Sequence, residues 1–546
     1  MTEHQGGSRP RQSLFAWLPP AAALVVFLYQ SRKFCQGGLY FVDDPFISMR
    51  FAANLVLHGE LSFNPGVRVE GYSNFLHVLI HALTFKLRGG VPDAASGIDG
   101  VVSIVFAATL LQALLLGLLS RKSPGRERDG AAWYYAAVLT ICSWPFAFWA
   151  TAGLETPLEG LLYVAILVTC VHPAFGRSGS WALPLLASLL VGVTLLRFEG
   201  VIAALGVAAV LGAHLMRAKR RASAISLFAT VALASAIYHL WRIAYFGQFL
   251  PNTFLAKATG GSTITRLGAG VSYCGTWFGA VGGTIVLAVL ALVFARTRRI
   301  SREDLEKLLD DPVLCVASVL VAIKVALVVW GGGDWMPGWR MLLPVTPAAL
   351  FLVVRGLLGI VDSDRVDRPG AFPAIVLSAG IVLVAGRGST AYFPVRDSIP
   401  NEGGSFKKLP QGNLRVAEML EKSFGDGREE VAIGEAGLVP FEALHVKFMD
   451  LFGLVDSDMA RQPGAMHSRV HVEHVLERGP AAVVFAHLHV LPPYGPYQYG
   501  QALLSSASFH ERYRRVDLGS ELTTLGWALY LRRDVDAAAH DLSWAP

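Results

Sequence analysis

Acidic and basic side chains recur along this chain in short clusters separated by long apolar stretches. The clusters are Asp43 with Asp44; Glu70 with Tyr72 and Asn74; Glu155; Arg197 with Glu199; Arg242; Asn252 with Lys257; and Asp334 with Trp335 and Arg340. A carboxylate can take the proton from an attacking hydroxyl, and an Arg or Lys can stabilise the negative charge that develops on a departing phosphate. No cofactor motif and no nucleotide-binding glycine loop accompanies them. The pattern points to chemistry on a lipid-borne, phosphate-containing substrate that needs no cytoplasmic nucleotide.

Such clusters have to be held by membrane elements. The chain has 546 residues, of which 53% are hydrophobic and 16% charged, with a mean hydropathy of +0.46. That is too apolar for an ordinary soluble domain. Stretches near the ~20 residues that cross a hydrocarbon core lie at 14–30, 101–119, 131–150, 158–171, 181–196, 201–216, 224–245, 271–295, 313–330, 341–358 and 372–385, about eleven in all. Residues 1–13 carry Arg9 and Arg11 without a cleavage site, so 14–30 reads as a retained anchor with the N-terminus inside.

The basic loops test this order: Arg121, Lys122, Arg126 and Arg128; Arg217, Lys219, Arg220 and Arg221; Arg296, Arg298 and Arg299; Arg355, Arg365 and Arg368. All fall on the cytoplasmic side only if 75–87, interrupted by His77 and His81, lies in the interface instead of crossing. A first external loop at 31–100 follows, and the chain beyond 386 is external as well. The expected fold is therefore an α-helical polytopic membrane protein: residues 1–386 form a transmembrane catalytic domain, and residues 387–546, with short apolar runs at 431–433 and 481–485, form an extracytoplasmic α/β domain. The net charge of +6 is accounted for by cytoplasmic loops facing anionic lipid headgroups, without nucleic acid. Five cysteines are spaced for neither a disulfide framework nor a zinc site.

Several cluster members also have plain structural explanations. Asp44-Pro45 is a good helix start, with Asp at the N-cap, Pro at the first helical position and a stop near Gly59. Capping then suffices for Asp44 and leaves Asp43 to face a cavity. Glu70 fits a solvated loop as well as a site, Glu155 fits a helix terminus, and Arg197 and Glu199 can pair with each other. Lys324, inside an apolar span, either snorkels outward or lines the same cavity. The glycines at 331–333 let the backbone approach a ligand closely, and Trp335 can stack on a sugar ring or anchor its hairpin at the interface. Adjacent carboxylates can hold Mg²⁺ or Mn²⁺, yet a phosphate leaving group served by Arg or Lys requires no metal, and no cofactor is assigned. Taken together, the residues describe glycosyl transfer from a polyprenyl-phosphate sugar; a transporter or flippase of lipid-linked sugars and a non-catalytic membrane scaffold are the alternatives.

The order of motifs at 43–54, 63–66, 69–75, 197–200, 251–253 and 332–334 resembles the GT-C superfamily of integral-membrane glycosyltransferases, and most of all the branch containing the mycobacterial terminal β-(1→2) arabinofuranosyltransferase. The resemblance covers residues 31 to about 358 and extends more loosely to 434–437 and 450–454. It implies a multi-pass plasma-membrane enzyme that moves a sugar, arabinofuranose first among the choices, from an outward-facing polyprenyl-phosphate donor to a cell-envelope glycan with inversion. It also implies that an acidic residue just after the first span is the general base. On this chain that is Asp43 or Asp44, and the capping argument favours Asp43. Phe198, where related sequences often have proline, and the bulky Trp335 and Trp339 depart from the pattern.

Overall fold

The computed structural model describes residues 18–35, 43–121, 127–177, 179–258, 262–281, 310–334, 336–361, 405–464, 471–486 and 498–536. Apolar segments in lipid must satisfy their backbone groups internally, which makes them helices. In chain order these are α1 (Leu18–Cys35), α2 (Asp44–His58), α3 (Phe75–Leu87), α4 (Ala94–Arg121), α5 (Glu127–Cys142), α6 (Trp144–Trp149), α7 (Thr156–Val171), α8 (Ala182–Leu196), α9 (Gly200–Arg217), α10 (Arg221–Phe246), α11 (Asn252–Ala258), α12 (Thr263–Ala280), α13 (Pro312–Gly331) and α14 (Thr346–Val361). Among the described residues, four segments, Ser96–Ser120, Gly200–Arg217, Arg221–Phe246 and Pro312–Gly331, are long and apolar enough to cross a membrane; α7 and α8 are shorter apolar helices.

Some boundaries differ from the hydropathy reading. The stretch 131–150 is two helices, because Ser143 is extended and Pro145 opens α6; proline has no N–H and disfavours helix just before it. The stretch at 341–358 becomes α-helical only at Thr346, after a 3-10 turn over Leu343–Val345. Of 271–295, α12 covers the part up to Ala280, and the remainder beyond residue 281 lies outside the described residues, as does 372–385. Segment α3 is a separate helix of 13 residues, about 20 Å long at the usual rise and short of the ~30 Å hydrocarbon thickness. It packs on α2 and buries His77 and His81.

Beyond the membrane bundle, α15 (Ser405–Phe424) precedes a five-stranded sheet of β1 (Glu430–Ile433), β2 (Lys447–Asp450), β3 (Ala482–Phe485), β4 (Tyr513–Val516) and β5 (Ala528–Arg532), in the order β2-β1-β3-β5-β4. The β2, β1 and β3 pairings are parallel, and the β3–β5 and β5–β4 pairings are antiparallel. Side chains alternate across the sheet. Val431, Ile433, Ala482, Val484, Leu529 and Leu531 enter one core, whereas Ala432, Val483, Phe485 and Tyr530 enter another on the opposite face. The first of these cores continues without a break into Phe46, Met49 and Phe51 of α2 and Val78 and Phe85 of α3. The sheet unit and the first loop thus share one hydrophobic interior.

Polar side chains fix that junction. Arg50 of α2 is fully buried and donates to the carbonyl oxygens of Phe63 (2.7 Å), Ala443 (3.0 Å), Val446 (2.9 Å) and Pro440. Asn64, in the Asn-Pro-Gly turn, pairs with Phe448 of β2 as another strand would, its Nδ2 donating at 2.7 Å and its Oδ1 accepting at 3.0 Å.

Candidate active site

The start of α2 presents the two aspartates in opposite directions. The helix stops at Gly59, whose φ of 72° allows its N–H to turn back to the carbonyls of Asn54 and Leu55. At the other end the N-cap position is Asp43, not Asp44, and the Asp43 side chain makes no capping bond in its own helix. Its Oδ1 instead accepts the Leu438 N–H at 2.8 Å, at the start of α16 (Leu438–Glu442). Gly437 lies so close that a Cβ there would collide with the Asp43 carboxylate and carbonyl. Burial pushes the Asp43 carboxyl well above its ordinary pKa, and Glu435 adds to this while the Leu438 N–H opposes it. The N-cap position expected for Asp44 is thus held by Asp43, and the Asp43 carboxylate is turned to the sheet unit.

The Asp44 side chain makes no hydrogen bond or ion pair among the described residues. Burial raises its pKa; Lys257 and Arg340 pull it back, and Asp334 and Glu155 push it further up. Lys257, near the end of α11, is likewise without a partner among the described residues. Its side chain is reached by solvent, yet protein surrounds it on enough sides that burial, helped by Arg340, lowers its pKa against the pull of Asp44 and Asp334.

Paired charges lie around the space between these two groups, close enough to act on them. After α13, Gly332 and Gly333 adopt φ of 87° and 84°, conformations that cost glycine little. The turn brings Asp334 against Arg340, with Oδ2 2.7 Å from Nε. Trp335 lies outside the described residues. Across the space, Arg197 donates through Nε and Nη2 to Glu199 Oε1 at 2.9 and 2.8 Å and through Nη1 to Glu155. The other Glu155 oxygen accepts from Asn74 Nδ2 at 2.9 Å, and Asn74 Oδ1 accepts from Ser48 at 3.0 Å. Burial pushes the Glu155 carboxyl up, but Arg197, Arg340, His77 and Asn74 outweigh it and hold the group well below the usual range. Lys324 does not snorkel: its buried Nζ is 2.5 Å from Glu159 and 3.8 Å from Glu199, and Tyr163 donates to Glu159 at 2.8 Å.

Asp44, Asn74, Glu155, Arg197, Glu199, Lys257, Asp334 and Arg340 are thus brought into one charged region. Four of the expected ligand-binding residues are elsewhere. Arg242 and Glu70 form a buried pair, with Nε 2.6 and 2.8 Å from the two carboxylate oxygens. Tyr72 packs its ring among Phe51, Phe75 and Phe246. The fourth, Asn252, is fully buried, and its Nδ2 donates to the carbonyls of Gly453, Leu454 and Asp456 at 2.8, 3.1 and 3.2 Å. An Asn252→Ala variant is expected to lose about 1–3 kcal/mol, read as a lower melting temperature in detergent. A donor KM raised more than about tenfold at unchanged stability would instead return Asn252 to the ligand site.

Arg50 and Glu159 were not singled out from sequence, and Asn64 and His77 were read only as part of a turn and as a break in an apolar run. Arg50 and Glu159 had a signal, since each is a charge in an otherwise apolar helix. Among the described residues no group of three or more His, Cys, Asp or Glu side chains is placed to hold a metal ion.

Comparison with known proteins gives three findings. Residues 407–535, which contain the sheet, match the family described as a domain of unknown function (DUF8728). No curated protein matches the chain by sequence. Among solved structures, the chain is similar to ArnT from Cupriavidus metallidurans bound to undecaprenyl phosphate, at 12% identity over 95% of this chain and 98% of that one, with a TM-score of 0.49. It is also similar to the Archaeoglobus fulgidus oligosaccharyltransferase, at 13% identity over 92% of this chain and 72% of that one, with a TM-score of 0.48.

Proposed function

We propose that the chain is a GT-C-type membrane glycosyltransferase that moves a sugar, arabinofuranose as the leading choice, from a polyprenyl-phosphate donor to a cell-envelope glycan on the extracytoplasmic side. One observation carries the reading: Asp44 and Lys257, whose side chains make no hydrogen bond or ion pair among the described residues, lie close enough to act on each other beside the paired Asp334, Arg340 and Glu155. Asp44 takes the proton of the acceptor hydroxyl as its oxygen bonds to the anomeric carbon. The anomeric C–O bond to phosphate breaks with its electrons leaving on polyprenyl phosphate, whose charge Lys257 and Arg340 stabilise. Displacement from the opposite face inverts the anomeric centre. The order of sequence motifs, and the placement of these groups at the opposite ends of the helices from Arg121 and Arg217, support the same reading.

The test is a panel of polyprenyl-phosphate sugars offered to purified protein in liposomes with a glycan acceptor. One donor should be consumed with release of polyprenyl phosphate. Donor that moves between leaflets without being cleaved would sink the transferase and favour the flippase.

The pH profile carries a second expectation. Asp44 acts ionised, so turnover falls as pH drops through its pKa, which burial sets above the ordinary carboxylate value. Lys257 lowers that pKa, so Lys257→Met should move the acid limb to higher pH as well as slow transfer. An acid limb that stays in place in the variant would separate Lys257 from Asp44.

A further inference from the structure

Asp44 and Lys257 are not carried by the long membrane helices. Asp44 rides on α2 and Lys257 on the seven-residue α11. Both short elements are pinned by the sheet unit. Helix α2 is held through Arg50, which donates to backbone carbonyls around α16, and through Asp43, whose carboxylate accepts the Leu438 N–H. Segment α11 is held at its first residue by Asn252, whose amide reaches three consecutive-turn carbonyls between β2 and the next helix. By contrast, Glu155, Arg197 and Asp334 stand at the ends of α7, α8 and α13 within the bundle.

We propose that the C-terminal sheet unit sets the separation of Asp44 and Lys257, with Asp43 as the positioning residue that couples α2 to α16. This rests on reading Asp44 as the base and Lys257 as the phosphate-binding cation. The physical case is geometric. Asp43 precedes Asp44 directly, so a shift of its carboxylate moves the first turn of α2. The contact is close enough that Gly437 has no room for a side chain. Reaction rates are sensitive to such shifts, since a displacement of about 1 Å can cost about 10²-fold.

A positioning role and a chemical role for Asp43 make opposite forecasts for one substitution. Asparagine keeps an oxygen that can accept the Leu438 N–H, so Asp43→Asn should keep kcat within about threefold. Asp43→Ala removes the acceptor, and Gly437→Ala displaces the carboxylate without altering it. Both should lower kcat about tenfold or more, consistent with a displacement below 1 Å, while donor KM stays within about twofold. Rates are taken per mole of monodisperse protein, so a lower yield of folded enzyme does not enter. The proposal is overturned if Asp43→Asn is as inactive as Asp43→Ala, or if Gly437→Ala turns over at the parent rate. Asp44→Asn run in parallel keeps the two readings apart: if it turns over at the parent rate the assignment of Asp44 as base fails, and if it is inactive while Asp43→Ala and Gly437→Ala are normal, only the positioning role fails.

Discussion

An Asp44→Asn variant is expected to lose about 10²–10⁴-fold in transfer rate, the usual contribution of a positioned general base, while remaining as stable as the parent. The two halves of that expectation come from the same fact. The Asp44 side chain makes no hydrogen bond or ion pair among the described residues, so its replacement by an isosteric amide breaks nothing that holds the fold. The amide cannot accept a proton at neutral pH, so the acceptor hydroxyl must ionise without help. Burial disfavours the charge of Asp44, and Lys257 and Arg340 only partly restore it; removing a charge that burial disfavours should, if anything, raise the melting temperature slightly. The measurement is single-turnover transfer from a purified lipid donor beside a thermal melt in the same detergent. Turnover at the parent rate would sink the assignment of the base.

The sequence shows the local elements that position this acid more clearly than it shows the partners of the acid. The helix from the Asp-Pro start to Gly59 is legible because proline, aspartate and glycine act through their own backbone geometry, and α2 ends at His58 with Gly59 left-handed. Residues 75–87 form one short helix for an equally local reason, an apolar run too brief to cross. What the sequence does not show is which aspartate the sheet unit takes. Asp43 is bonded to Leu438, 395 positions away, and no spacing rule connects them. Capping logic placed the cap one residue late because Asp43 occupies the cap position while its side chain serves the other unit. Arg197 and Glu199 do pair as near neighbours can. Glu155 joins them from 42 positions away, and Lys324 reaches Glu159 across 165. Such links arise from bundle packing, which brings charges together in lipid because each alone would be costly.

The largest stability effect should come from a pair that the same chemistry would have placed in the site. Arg242→Met is expected to destabilise the protein by about 3–5 kcal/mol, because it leaves Glu70 buried with an unmatched charge. The side chains are 1% and 3% exposed. Arg242 also donates to the Phe249 carbonyl at 3.1 Å and stacks over the Phe198 ring at 4.8 Å, while the Glu70 carbonyl accepts the Asn252 N–H at 2.9 Å. The pair thus ties the first loop to α10 and to the start of α11. Phe198 supplies the aromatic face beneath the guanidinium. Replacing both partners, Glu70→Gln with Arg242→Met, should recover much of the loss, since two neutral side chains of similar volume need no mutual compensation. The signature is opposite to that of Asp44→Asn: stability falls while turnover per folded molecule persists. Arg242→Met with the parent melting temperature and no donor turnover would instead place Arg242 among the groups that meet the phosphate.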